Sequence, residues 1–250
     1  MSGNLEKLKS RLQEVSIDNK ICIAFSDGVD STVLLKVAQL AGLNALAVTF
    51  DTQLTHNDTG MEKAAQTAQS FDAKHMVINI DMLADRKIAS NDKLRCYYCK
   101  KKMFDLLLKI AHDNEIKNIC DGTNADDLNE YRPGLRAKDE SGVLSPLADC
   151  GLTKQDVRNI AKELSLSVAT KPSSPCRLTR FPYDTKITRE MLEKVKQGED
   201  ILKLYGFDNC RLRVFGDMAK VEIPKEEFNS FMDKADKMSL LIKLVGFTCV

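Results

Sequence analysis

The sequence lacks an excess of either charge: Lys and Arg number 37 against 36 Asp and Glu, for a net charge of +1. That balance argues against broad nucleic-acid binding, which leaves a basic bias, although a local basic patch stays compatible with it. No apolar run approaches the roughly 18 residues that suggest a membrane span. The opening segment MSGNLEKLKS has no apolar signal core, so a cytoplasmic protein is expected. Internal repeats and low-complexity segments are missing too. So is a G-x-x-x-x-G-K-[ST] run, which excludes a Walker A phosphate loop.

What is present is an ordinary globular composition, 43% hydrophobic and 29% charged over 250 residues. Such a chain can bury a core and fits one large domain or two smaller ones. In a reducing compartment the eight cysteines are better read as buried small residues, metal ligands or reactive thiols than as four disulfides.

Apolar periodicity then orders the chain. Leu5, Leu8, Leu12 and Val15 mark a lead helix. Ile21 to Phe25 is a strand, followed by the polar stretch Ser26-Asp27-Gly28-Val29-Asp30-Ser31 and a helix to about Ala41. Strands at 44–51 and 75–80 flank a helix at 58–71. Another helix covers about 100–112, and residues 117–121 form a fourth strand, followed by Gly122-Thr123-Asn124-Ala125-Asp126-Asp127. Residues 131–142 read as an exposed loop, 145–147 as a short strand or connection, and 153–164 as a helix capped by Thr153. The alternation predicts an α/β fold with a parallel sheet covered on both faces. Lys171-Pro172-Ser173-Ser174-Pro175 breaks regular structure, which puts the expected domains at 1–170 and 171–250. The second is expected to be a small α+β domain: a helix at 188–205, a hairpin around Gly216-Asp217, a helix at 225–235 and a last strand at 240–247.

Four stretches carry chemistry. The Ser26–Ser31 loop lies between a strand and a helix, where free N–H groups and the helix dipole favour an anion. Ser26 and Ser31 supply hydroxyls, Gly28 permits close backbone approach, and Asp30 offers hard oxygens to Mg²⁺. Its plain reading is a strand-to-helix turn. The Gly122–Asp127 loop reads either as a helix cap or, at the same sheet edge, as a nucleotide or Mg²⁺ site using Thr123, Asn124 and Asp126, with Arg132 and Arg136 as phosphate forks. Cys96-x-x-Cys99 is a redox pair, two packed thiols or part of a metal site; a third cysteine would leave one position of a cluster open. Cys176 is the candidate third, in a loop with Arg177 and Arg180, whose charges favour a thiolate. In the fourth stretch, Arg211 and Arg213 share one strand face opposite Glu222; this is a solvated sheet face or an anionic-substrate site. Cys22, Cys120, Cys150, Cys210 and Cys249 sit in apolar contexts and are expected in the core.

The Ser26–Ser31 loop resembles the S-G-G-x-D-S loop of ATP pyrophosphatases, with Asp27 in place of the first Gly. Across AFSDGVDST, RCYYCKKKMF, DGTNADDLNEYRPG, SPLADCGLTKQDVR, KPSSPCRLTRFPYDTKIT and RLRVFGDMAKVEIP the whole chain resembles the LarE family of ATP-dependent sulfur transferases, which serve the nickel-pincer cofactor of lactate racemase. The resemblance implies ATP and Mg²⁺, and adenylation of a carboxylate of a pyridinium-biscarboxylate mononucleotide with release of pyrophosphate. A sulfur then displaces AMP. In one branch the cysteine matching Cys176 gives up its own sulfur; in another, three cysteines hold a 4Fe–4S cluster. Cys96, Cys99 and Cys176 resemble the second. The resemblance also places Arg180 beside the reacting sulfur, and Arg211, Arg213 and Glu222 at the substrate phosphate and metal region. It implies a homo-oligomer and leaves the sulfide donor open. The chain ends at Thr248-Cys249-Val250, where members of the family usually continue the last strand into a short tail.

Three other readings share parts of this pattern. A tRNA thiolase would keep the fold but usually adds RNA-binding or zinc modules and basic surface. An amide-forming ligase would need an ammonia source and would have no use for three cysteines. A nucleotide- or metal-binding protein without catalysis is favoured by Asp27 alone.

Overall fold

The computed structural model describes residues 2–54, 58–129, 133–172 and 175–250, and divides into two compact units. The first comprises Met1–Asp81 and Cys96–Ser173, the second Met82–Arg95 and Ser174–Val250.

The elements run α1 (Gly3–Val15), β1 (Lys20–Ala24), α2 (Val29–Leu40), β2 (Asn44–Asp51), α3 (Asp58–Ser70) and β3 (Lys74–Asn79). A single turn, α4 (Arg86–Ala89), belongs to the second unit. Then come α5 (Arg95–Asp113), β4 (Ile119–Cys120), α6 (Pro133–Ser141), α7 (Pro146–Asp149) and α8 (Lys154–Glu163). The four strands form a parallel sheet in the order β3-β2-β1-β4. Because β1 is central and covered on both faces, its middle is apolar and buried after the opening Lys20: Ile21 and Ile23 face a core built with α1, α2 and α8, while Cys22 faces one built with Phe104, Leu107 and Ala111 of α5. The lead helix buries Leu5, Leu8, Leu12 and Val15 as its spacing predicts, and the Ser2 hydroxyl accepts from the Leu5 N–H at its start. Thr153 and Asp156 close a reciprocal capping box on α8.

The second unit adds a 3₁₀ turn at Arg177–Arg180, α9 (Arg189–Leu204), and the antiparallel hairpin β5 (Arg211–Phe215) and β6 (Met218–Glu222). It ends with a 3₁₀ turn at Lys225–Glu227, α10 (Phe228–Met232) and α11 (Ala235–Leu244). Leu192, Val195 and Leu202 of α9 are buried, as are Leu212 and Val214 of β5 and Met238 and Ile242 of α11. Gly198 permits the α9–β5 contact, since a Cβ there would stand 2.5 Å from Leu212 Cδ2.

Several local expectations are corrected. The last strand is instead the helix α11: a short apolar run such as Leu240-Leu241-Ile242 does not separate strand from helix by periodicity alone, and burial of Met238 and Ile242, four residues apart, decides for helix. Residues 133–141 form α6 rather than an exposed loop. Pro133 and Gly134 read as breakers, but Pro is well suited to a first helical turn, and Ala137 is buried. The 145–147 connection leads into one turn of helix, α7, and the 225–235 helix is split into two shorter pieces. Cys96 and Cys99 lie inside α5, not ahead of it. Cys249 is exposed rather than part of the core.

Candidate functional site

The strand order places β1 beside β4, so the loops after these two strands are neighbours at one sheet edge. β2 and β3 extend the sheet on one side of β1 and β4 on the other, and the crevice where the order reverses is where such sheets bind ligands. The approach is close. A Cβ on Gly122 would stand 3.1 Å from Asp30 Cβ and 3.2 Å from the Ser31 nitrogen.

The first loop is wound tightly. Ser31 Oγ accepts from the Ser26 N–H at 3.1 Å, lies 3.2 Å from Ser26 Oγ, and donates to the Gly28 carbonyl at 3.2 Å. Gly28 caps α2, and its missing Cβ keeps clear of Ser26 Oγ, which would be 3.3 Å away. Gly28 at the N-cap makes no side-chain cap to the N–H groups at the start of α2, which suits them to an anion.

Asp27 adopts φ +53°, in the left-handed region that a glycine would enter freely. The residue is only 4% exposed. Both carboxylate oxygens are occupied: Thr67 Oγ1 donates to Oδ1 at 2.9 Å and Lys171 Nζ to Oδ2 at 2.7 Å. Lys171 Nζ also donates to the Asp27 carbonyl at 2.8 Å.

Asp30 faces the second loop. Its carboxylate accepts from Lys154 Nζ and from Asn124 Nδ2, the latter at 3.3 Å. Asn124 Oδ1 accepts from the N–H groups of Asp126 and Asp127, and the Lys154 N–H donates to Asp126 at 2.8 Å. Thr123 spends its hydroxyl on buried Asp121, which also accepts from Ser145 and lies 3.6 Å from Lys100 Nζ. Thr123, Asn124 and Asp126 thus shape the loop that meets Asp30. Arg136 pairs with Glu140 at 2.8 Å and lies over the Tyr97 ring. Arg132 lies outside the described residues.

At these loops, Lys154 and Lys171 are residues that sequence reasoning missed. Lys154 opens α8 and Lys171 precedes a proline. Neither position signals a partner that lies 124 or 144 residues away.

The cysteines fall into two chemical groups. Burial pushes the Cys22 thiol up to about 12 and Cys210 to about 11, and raises Cys120 and Cys150 as well. Cys96 is exposed, and Cys99 and Cys176 are half-buried. Cys96 and Cys99, three apart on α5, project from one side of it. They belong to the first unit and Cys176 to the second. Among the described residues, no three His, Cys, Asp or Glu side chains are gathered as a metal-holding group.

In the second unit the Cys176 turn is tied down. Thr179 Oγ1 donates to the Cys176 carbonyl at 2.7 Å and accepts from Arg180 Nη1 at 3.1 Å. Arg180 donates through Nε to Glu199 Oε1 at 2.5 Å, an ion pair in which both residues are 5% exposed. The same Glu199 oxygen accepts from the Leu212 N–H. Arg213 donates to the Thr179 carbonyl at 2.6 Å and to Glu222 at 3.0 Å. Arg211 sits opposite Glu222 in the hairpin register. Arg180 and Arg213 therefore hold the turn that carries Cys176, with Glu222 pairing to Arg213.

A doubly covered parallel sheet with a serine-lined loop at its switch point is the architecture of a nucleotide-binding α/β protein. Residues 16–204 match the family model described as thiamine biosynthesis protein (ThiI). The chain is 34% identical to the pyridinium-3,5-bisthiocarboxylic acid mononucleotide synthase of Lactiplantibacillus plantarum, over 92% of its own length and 84% of that protein. It is 35% identical to an uncharacterized protein of Methanocaldococcus jannaschii over 97% and 92% of the two chains. A tRNA-specific 2-thiouridylase of Thermoanaerobacter pseudethanolicus matches at 26% identity, over 73% of this chain and 62% of that one. The chain belongs to this ThiI-like PP-loop family of ATP-dependent sulfurtransferases and, within it, to the LarE group that contains the synthase.

Proposed function

We propose that the protein adenylates a carboxylate of pyridinium-3,5-biscarboxylic acid mononucleotide and converts it to a thiocarboxylate. The observation that carries this reading is the pairing of two features. One is a serine-lined strand-to-helix loop joined through Asp30 to the Gly122–Asp127 loop. The other is a set of thiols at Cys96, Cys99 and Cys176 that, like the C-terminal Cys249, are exposed or half-buried, set apart from four buried ones. The relationship to the synthase supplies the substrate.

In this reading Ser26, Gly28 and Ser31 bind the β- and γ-phosphates through hydroxyl and backbone N–H groups. Asp30 supplies carboxylate oxygens to Mg²⁺, which would neutralise phosphate charge when bound. Thr123, Asn124 and Asp126 hold the second loop against Asp30, and Arg132 contributes a phosphate fork. The substrate carboxylate oxygen attacks the α-phosphorus, and pyrophosphate leaves with the bonding pair. A sulfur nucleophile then attacks the acyl carbon, and AMP departs with the carbon–oxygen electrons. Arg211 and Arg213 pair with the substrate phosphate, with Glu222 orienting Arg213. Arg180 fixes the Cys176 turn through Thr179.

Cys96, Cys99 and Cys176 would hold a 4Fe–4S cluster; the donor set fits, since all three are accessible thiols and thiolates suit iron. Such a cluster supplies an open iron site for a labile sulfur. A second reading rests on the anchoring of the Cys176 turn, which depends on residues of the second unit alone. There Cys176 itself is the donor: its Cβ–S bond breaks, its α-proton is lost, and dehydroalanine remains. Iron and sulfide analysis of anaerobically purified protein, with mass spectrometry of Cys176 after turnover, separates the two. About four irons per chain, an intact Cys176 and loss of iron in Cys96→Ala are the results expected for the cluster. Colourless protein whose Cys176 loses the mass of H₂S would overturn it.

A further inference from the structure

Asp27 is the chain's departure from the glycine of the PP-loop pattern, and by charge alone it opposes a triphosphate. The structure shows what answers that charge. Lys171 Nζ lies 2.7 Å from the Asp27 carboxylate and 2.8 Å from its carbonyl, so the ammonium sits on the backbone of the loop itself. Thr67 takes the other carboxylate oxygen, which fixes the carboxylate against α3. An ammonium has three N–H donors, and the two contacts to Asp27 use two of them. The Lys171 side chain is 42% exposed, whereas that of Asp27 is 6% exposed. The pair thus presents its cation to solvent and buries its anion.

We propose that Asp27 and Lys171 act as one charge-compensated unit of the nucleotide site. Asp27 tethers Lys171 to the loop, and Lys171 both cancels the Asp27 charge and binds the ATP phosphates. The inference rests on the loop being the nucleotide site and adds to that reading a residue 144 positions away and a coupling. The coupling has a direction. Removing Lys171 alone leaves a buried, uncompensated carboxylate beside the phosphates. Removing both charges leaves a neutral loop with the family's glycine.

The test is calorimetric titration of the full chain with ATP and with AMP at fixed ionic strength. Lys171→Ala is expected to weaken ATP about 30-fold and AMP less than about threefold, because only ATP carries the β- and γ-phosphates. Adding Asp27→Gly to Lys171→Ala is expected to recover ATP affinity to within about fivefold of wild type, and Lys171→Arg to retain it. Asp27→Gly alone, which frees Lys171 from its tether but also removes the opposing charge, is expected to weaken ATP about three- to tenfold and AMP less than about threefold, and keeps the test decisive should Lys171→Ala fold poorly. Equal losses for ATP and AMP, a double variant as weak as Lys171→Ala, or unchanged ATP affinity in Asp27→Gly alone would overturn the pair. Wild type that binds no ATP would instead overturn the nucleotide reading itself.

Discussion

At the scale of single residues, Gly122 shows how little room the site leaves. Any side chain there meets the backbone of Ser31 and the Cβ of Asp30, neither of which can move without shifting the start of α2. Gly122→Ala is expected to cost about 1–3 kcal/mol of stability and to weaken ATP binding more than AMP binding, measured by denaturant titration and calorimetry. Unchanged ATP affinity in a folded variant would contradict the placement of the two loops. Part of this was legible in advance. Ser26, Gly28, Asp30 and Asn124 announce themselves as polar residues at strand ends, and the alternation of Arg211 and Arg213 put them on one face. Lys154, Lys171 and Glu199 did not, because each acquires its partner only through the fold. Glu199 in particular lies on a helical face with no local pattern to distinguish it from a solvated acid.

At the scale of elements, the strands of the first unit followed their sequence closely because parallel strands in a covered sheet need apolar runs, whereas α6 and the start of α5 did not. The second unit followed less closely: α11 is short, and its apolar residues fit either period. β3 offers a test of local electrostatics. His75 lies edge-on to Phe25, 6.0 Å between ring centres, and Nε2 sits 2.8 Å from Thr49 Oγ1. Burial lowers its pKa below the ordinary 6.5. The unfolded chain therefore binds a proton at a higher pH than the folded one does. Stability should be full above that value and fall as pH drops through it toward the folded pKa. His75→Gln, which can keep the Thr49 contact, is expected to flatten the dependence of melting temperature on pH between about 7.5 and 5. An identical slope in wild type and variant would contradict this.

At the scale of the whole molecule, charge and accessible thiols point the same way. A net charge of +1 gives no long-range attraction for a polyanion, and among the described residues no helix is long and apolar enough to cross a membrane. The account stands most directly on one measurement: pyrophosphate released from ATP by the purified chain, with pyridinium-3,5-biscarboxylic acid mononucleotide or with unmodified tRNA. The expected result is release that depends on the pyridinium mononucleotide, is absent with tRNA, and persists in Cys176→Ala, which spares the activating step. Release driven by tRNA, or none with the mononucleotide, would contradict it.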